Sequence, residues 1–162
     1  MHSAAFAASD FEEDFDDPNK PWQEIAIQLP AAPQEQELLP FEVSGNTTHR
    51  FFIDPKSVSV GSDGVIRYTL VTVSSNGARN ISYEGLRCET FEVKRYAFGQ
   101  PDGNWSRSKR DQWQWIVRNA ANRQHAVLAR DYMCQEKVIA DSAERIVARI
   151  RSGQSLNPST LP

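Results

Sequence analysis

Val65-Ile-Arg-Tyr-Thr-Leu-Val-Thr-Val-Ser74, the link Ser75-Asn-Gly-Ala78, and Asn80-Ile-Ser-Tyr-Glu-Gly-Leu-Arg-Cys-Glu-Thr-Phe-Glu-Val-Lys-Arg-Tyr-Ala-Phe-Gly99 decide the fold. Val65, Thr69, Val71 and Val73 fall on one register, and Ile66, Tyr68 and Leu70 on the other. Two-residue alternation rich in β-branched and aromatic side chains predicts a pleated strand. Asn76-Gly77 provides two residues that tolerate the positive φ of a twisted hairpin turn. The return strand sets Phe91 and Val93 against Glu92 and Lys94 and carries Cys88.

Upstream of this hairpin, Trp22 to Leu29 alternates Ile25, Ile27 and Leu29 with polar or small residues, which predicts a strand. Pro30-Ala-Ala-Pro33 and the Gln/Glu run after it read as a linker. Phe41 and Val43 begin another short strand. Arg50 to Asp54 forms one that must stop at Pro55, which has no N–H for the ladder. Every connection is short, so the sheet is expected to be antiparallel. Downstream, Gln100-Pro-Asp-Gly-Asn104 is turn chemistry. The period then changes: Trp113, Ile116, Val117 and Ala120 recur at helical spacing, while Val127 to Cys134 fits a helical turn or a strand. In the last helix Asp141 is the expected cap, with Glu144 completing a capping box. Ala143, Ile146, Val147 and Ile150 form its stripe, and Gly153 ends it. Strands followed by helices predict an α+β fold: a curved antiparallel β-sheet of five to six strands with C-terminal α-helices packed on it. The expected organisation is an acidic flexible arm over 1–20, one α+β domain over 21–153 and a tail over 154–162.

A chain of 162 residues suits one core plus tails, and 40% hydrophobic residues is ordinary for a globular protein. No apolar run approaches the roughly 20 residues of a spanning helix, so no integral membrane segment is expected. The net charge of -3 hides an asymmetry. Residues 1–40 hold nine acidic residues and one lysine, a net of -8. Residues 41–162 hold seventeen Lys/Arg against twelve Asp/Glu, a net of +5. Either the acidic arm is simply solvated, or it docks through residues 8–18 on the surface of Arg107, Lys109, Arg110 and Trp115.

Cys88 and Cys134 fit two reduced thiols or one bridge, and spacing alone does not decide. Ser3-Ala-Ala-Phe-Ala-Ala-Ser9 ends in small residues before the acidic arm, like the close of a secretory signal, with residues 1–8 as its remnant. An exported chain makes a disulfide the expectation.

Catalytic patterns are sparse. His2, His49 and His125 lie far apart, neither cysteine has zinc-ligand spacing, and no nucleophile elbow or phosphate loop occurs. Asp54 and Asp63 are explained by turns beside Pro55 and Gly64, and His125 by a partly buried hydrogen-bonding role. No catalytic residue, metal or cofactor is called for. The denser signal is aromatic and basic: Trp105, Trp113 and Trp115 interleave with Arg107, Lys109 and Arg110. Such residues bind single-stranded nucleic acid by stacking and charge, or sugar or peptide ligands on flat indole faces, or they pack: Trp113 holds a helix to the sheet and arginines cover indole faces. Helical spacing turns Trp115 away from Trp113 and makes it the exposed ring. In Tyr83-Glu-Gly-Leu-Arg-Cys88, Gly85 predicts a bulge or close backbone approach, which would bring Glu84 and Arg87 together as an ion pair or a ligand site. The binding candidates are therefore Tyr83, Glu84, Arg87, Trp105, Arg107, Arg110 and Trp115.

Phe52-Ile-Asp-Pro-Lys-Ser-Val58, Asp63-Gly-Val-Ile-Arg-Tyr68, Tyr83 to Cys88, Tyr96-Ala-Phe-Gly99, Trp105, Trp113 and Asp131-Tyr-Met-Cys134 carry a family likeness. Over about residues 20–152 the chain resembles a family of uncharacterised exported proteins known from Neisseria and related betaproteobacteria. A weaker likeness links the Asp-Pro-x-Ser-Val strand, the hairpin and the following cysteine to surface-adhesin-type proteins of Gram-negative bacteria. Both resemblances imply export to the periplasm or outer membrane and a cysteine bridge, and neither implies an activity. The expected role is a non-enzymatic envelope binding or interaction module. Its partner is an envelope ligand or protein, with nucleic acid ranked below these. The alternatives are an anionic-polymer binder acting through the basic body, on nucleic acid or lipid head groups, and an envelope hydrolase.

Overall fold

A computed structural model describes residues 21–45, 48–117 and 122–157. The acidic arm over 1–20, with its expected docking through 8–18, and Ala120 of the expected helical stripe lie outside the described residues. Among the described residues nine strands appear: β1 (Leu39–Phe41), β2 (His49–Val60), β3 (Val65–Ser74), β4 (Arg79–Arg87), β5 (Glu92–Gly99), β6 (Trp105–Arg107), β7 (Gln114–Trp115), β8 (Cys134–Gln135) and β9 (Val138–Ile139). The helices are α1 (Arg123–Val127), running into a π-helical stretch over Leu128–Met133, and α2 (Ala143–Ser152). The main sheet has seven strands, one more than the upper expectation. Strands β1 to β6 lie side by side in chain order and β7 pairs with β5, all antiparallel. With the C-terminal helices on it, this is the expected α+β fold with a curved antiparallel sheet.

The central hairpin forms over β3 and β4, but the expected single return strand through Gly99 is two: β4 ends at Arg87, the chain turns, with Phe91 at φ 55°, and β5 runs back antiparallel to it. Tyr68 stands opposite Glu84 and Ile66 opposite Leu86, and Gly77 takes φ 88° in the turn. Ile53, Ile66, Tyr68, Leu70, Leu86 and Val93 face the helices, where Leu128, Met133, Ile146 and Ile150 complete the core. A disulfide joins Cys88, at the end of β4, to Cys134. No helix among the described residues is long and apolar enough to cross a membrane.

Four further local expectations are corrected. β2 does not stop at Pro55; its register jumps from Asp54 opposite Thr69 to Ser59 opposite Arg67. The Ser57 hydroxyl fills the gap, accepting from the Thr69 N–H at 2.7 Å while donating to the Asp54 carbonyl at 2.7 Å. A side chain thus satisfies the ladder donor stranded at the bulge. Residues 22–29 are not a strand: they cross the sheet face as a strap without backbone pairing, with Glu24, Ile27 and Leu29 half-buried and Ile25 exposed. Gln114 and Trp115 pair with Val93 and Glu92, so this segment is an edge strand and not part of a helix. Ser142, not Asp141, caps α2 by accepting from the Arg145 N–H at 3.3 Å. Asp141 turns to Arg149 at 3.5 Å and Arg145 at 3.8 Å.

Candidate functional site

Strand alternation gives the sheet two chemically different faces. On the outer face, away from the helices, Arg67 is buried and forks onto Asp63, with nitrogen–oxygen distances of 3.2 and 2.7 Å. The strap lies across this face. The Trp22 indole donates to the Asp63 carbonyl at 2.8 Å, and the Ile25 N–H donates to the Asp63 carboxylate at 3.1 Å. Glu24 accepts from Lys94 Nζ at 2.8 Å, Trp113 Nε1 at 3.3 Å, Arg67 at 3.4 Å and the Tyr96 hydroxyl. Burial alone would raise the Glu24 carboxyl, but the Lys94 and Tyr96 hydrogen bonds and the Lys94 charge hold it below the usual range. Burial, then the Glu24 contact, push the Tyr96 hydroxyl up.

Four of the seven binding candidates gather on this face. Arg87 lies 3.7 Å over the Trp22 ring, and Trp22 meets Trp113 edge-on at 5.9 Å. Tyr83 sits 5.7 Å from Tyr96 and 6.1 Å from Trp105, whose indole donates to the Pro30 carbonyl at 2.7 Å. Trp115, opposite Glu92 and 75% exposed, is the open ring the sequence predicts. Trp113 packs as expected, although against the strap and not beneath a helix.

Glu84 points the other way. A bulge between Tyr83 and Glu84 shifts the β4–β5 register, but it does not bring Glu84 and Arg87 together. Arg87 instead pairs with Glu92 at 3.8 Å. Glu84 is 1% exposed beneath the helices. Its Oε1 accepts from the Tyr68 hydroxyl at 3.1 Å and meets His125 Nε2 at 2.8 Å. Its Oε2 accepts from the Ser82 hydroxyl at 2.7 Å and lies 3.7 Å from Arg95 Nε. An ionised carboxylate only accepts, so Nε2 carries the proton. Burial would raise Glu84, and the charge and hydrogen bond of His125, with Arg95 and Ser82, hold it below the usual range. His125, expected to be partly buried without a charged partner, is wholly buried against one.

Arg95 leads from this cluster to a groove of about 460 Å³ beside β5, β6 and the loop to β7. Val93 and Phe98 give it an apolar floor, and Arg95, Arg107, Lys109 and Arg110 give it four cations. Arg107, Lys109 and Arg110 have no carboxylate partner among the described residues. A larger hollow of about 640 Å³ lies between α2 and β2, but there Glu37 and Glu144 balance Lys56 and Arg151. Among the described residues the groove is therefore where positive charge is left over. It belongs to Arg107 and Arg110, with Glu84 one residue behind its wall. The residues missed in sequence are Arg95, Lys94, Glu24 and Tyr96. Arg95 and Lys94 had a signal as adjacent basic residues on β5, whereas Glu24 carried none. No group of three His, Cys, Asp or Glu side chains among the described residues is arranged to hold a metal ion.

The model of the CNP1-like family matches residues 17–151, most of the chain, which therefore belongs to that family. No curated protein and no solved structure matches.

Proposed function

We propose that this CNP1-like chain is an exported, non-enzymatic binding module of the cell envelope that takes an oxyanion-bearing ligand in the β5–β6 groove. The observation that carries the reading is the set of three cations without a carboxylate partner among the described residues, gathered with Arg95 around one concavity. Its volume is within the range of small-ligand clefts, roughly 300–1,000 Å³. Charge-assisted hydrogen bonds from arginine favour carboxylate, phosphate or sulfate groups. The Cys88–Cys134 disulfide supports an oxidising compartment, periplasmic or at the outer membrane. The finer placement, among exported proteins of Neisseria and related betaproteobacteria, rests on the sequence resemblance. The reading is non-enzymatic because the best acid–base pair, Glu84 and His125, is buried beyond reach of a substrate atom.

The test is an amide-shift titration of the intact protein with inorganic phosphate. Shifts concentrated at residues 93–98 and 105–114 are expected, with affinity reduced about tenfold or more in Arg107→Gln/Arg110→Gln. Shifts spread evenly over all surface lysines and arginines would overturn the reading. A polyanion in place of phosphate would add a steep salt dependence through counterion release.

A further inference from the structure

The four groove cations are not equivalent. Arg107, Lys109 and Arg110 come from an edge strand and its following loop, whereas Arg95 rises from β5 with its Nε 3.7 Å from Glu84. We infer that Glu84, held by His125, positions the Arg95 guanidinium so that the groove reads an oxyanion through a pre-set fork and not through diffuse charge. This rests on the groove being an oxyanion site.

The geometry around Glu84 supplies the argument. Each element packed on it contributes one polar group: Tyr68 from β3, Ser82 from β4, Arg95 from β5 and His125 from α1. Together they fix both carboxylate oxygens, so the carboxylate cannot rotate without losing a partner. Among the described residues His125 has no hydrogen-bond partner at Nδ1, so there its contact with Glu84 is the ring's one polar anchor. A buried ionic cluster is a poor source of stability, since packed apolar residues of the same volume do as well or better. What the cluster does provide is direction. Arg95 is its only member that reaches the groove, and the side chain is one-third exposed there. With Nε facing Glu84, the two terminal nitrogens are the donors left for a ligand, and neither has a partner among the described residues. A guanidinium already held in place loses less freedom on binding than a mobile lysine or surface arginine.

Positioning and simple charge predict opposite signs for one substitution. Glu84→Gln removes a negative charge beside the groove, so Coulomb attraction alone would tighten anion binding. Loss of the fork's orientation would weaken it. The experiment titrates inorganic phosphate, acetate and chloride into intact wild-type, Glu84→Gln and Arg95→Lys proteins, followed by amide shifts in the groove. The expected result is phosphate and acetate affinity reduced about tenfold in both variants, with chloride affinity unchanged. Arg95→Lys keeps the charge at a part-exposed position and so tests the fork even if Glu84→Gln fails to fold. Phosphate binding equal to or tighter than wild type in either folded variant overturns the inference. If Arg107→Gln/Arg110→Gln still weakens phosphate in that case, the groove reading survives and only the positioning role falls. No phosphate binding by the wild-type protein overturns both.

Discussion

The Glu24 carboxylate lies 2.8 Å from the Lys94 ammonium, closing a contact across 70 positions of sequence. It fastens an extended strap to the outer face of the sheet, with Arg67, Tyr96 and Trp113 as further donors. Because the folded Glu24 carboxyl titrates below its ordinary value of 4.5, folding is favoured by the ionised form. That stabilisation is complete well above pH 4.5 and is lost as the pH falls through the depressed folded value. Asp63 and Glu84 shift in the same direction and add to the loss.

Glu24→Gln is therefore expected to cost about 2 kcal/mol at pH 7, the scale of hydrogen bonds to a charged group. The cost should shrink as the pH drops below about 4.5, where the wild-type carboxylate is itself neutralised. Unfolding midpoints of both proteins between pH 3 and 8 check this. Parallel curves across that range would mean that Glu24 does not titrate in its clamp.

Gly85 owes its identity to Tyr96. A Cβ at that position would lie 2.6 Å from the Tyr96 hydroxyl oxygen and 2.9 Å from a Val65 methyl. Gly85→Ala should cost roughly 1–3 kcal/mol by overpacking and push the Tyr96 hydroxyl off Glu24. In combination with Tyr96→Phe, which removes the nearest clashing atom, the two costs should be less than additive. Additive costs in denaturant titrations would place the strain elsewhere.

Gly85 was legible in sequence as a close backbone approach, and the hairpin around it was legible from alternation and Asn76-Gly77. Such signals are local. Pro55 misled because its missing N–H is a local fact, whereas the compensating Ser57 hydroxyl, accepting from Thr69, is a tertiary one. Trp113, Ile116 and Val117 have helical spacing, but pairing of Gln114 and Trp115 with β5 overrides it. The site divided in the same way. Arg87 and Trp105 contact Trp22 and Pro30 outside the groove, and with Tyr83 they were marked as candidates because aromatic and basic residues suit surfaces that bind or stack. Glu24 was not, because nothing near Trp22 indicates which face the strap will cross. His125 lacked a visible partner because Glu84 is 41 residues away, and unbroken alternation from Glu84 to Arg87, with no bulge at Gly85, turns Glu84 to the helix side and Arg87 to the other.

The Cys88–Cys134 bridge ties the end of β4 to the residue that follows the π-helical stretch, closing a loop across a sequence separation of 46. Restricting a loop of that length in the unfolded chain stabilises the fold by about 4 kcal/mol in the chain-entropy model. Both sulfur-bearing residues are buried among Val93, Met133 and their neighbours, so alanine at both positions also loses some packing. The expected outcome for Cys88→Ala/Cys134→Ala is a fall in Tm of about 10 °C, since each kcal/mol moves a domain of this size by roughly 2–4 °C. Calorimetry of the variant beside the oxidised wild type measures it. The same protein isolated from its native compartment should release no free thiol under denaturing, non-reducing conditions. A midpoint unchanged in the double variant would mean that the unfolded chain is already compact between these positions. Two titratable thiols in the native protein would remove the bridge, and with it the strongest support for export.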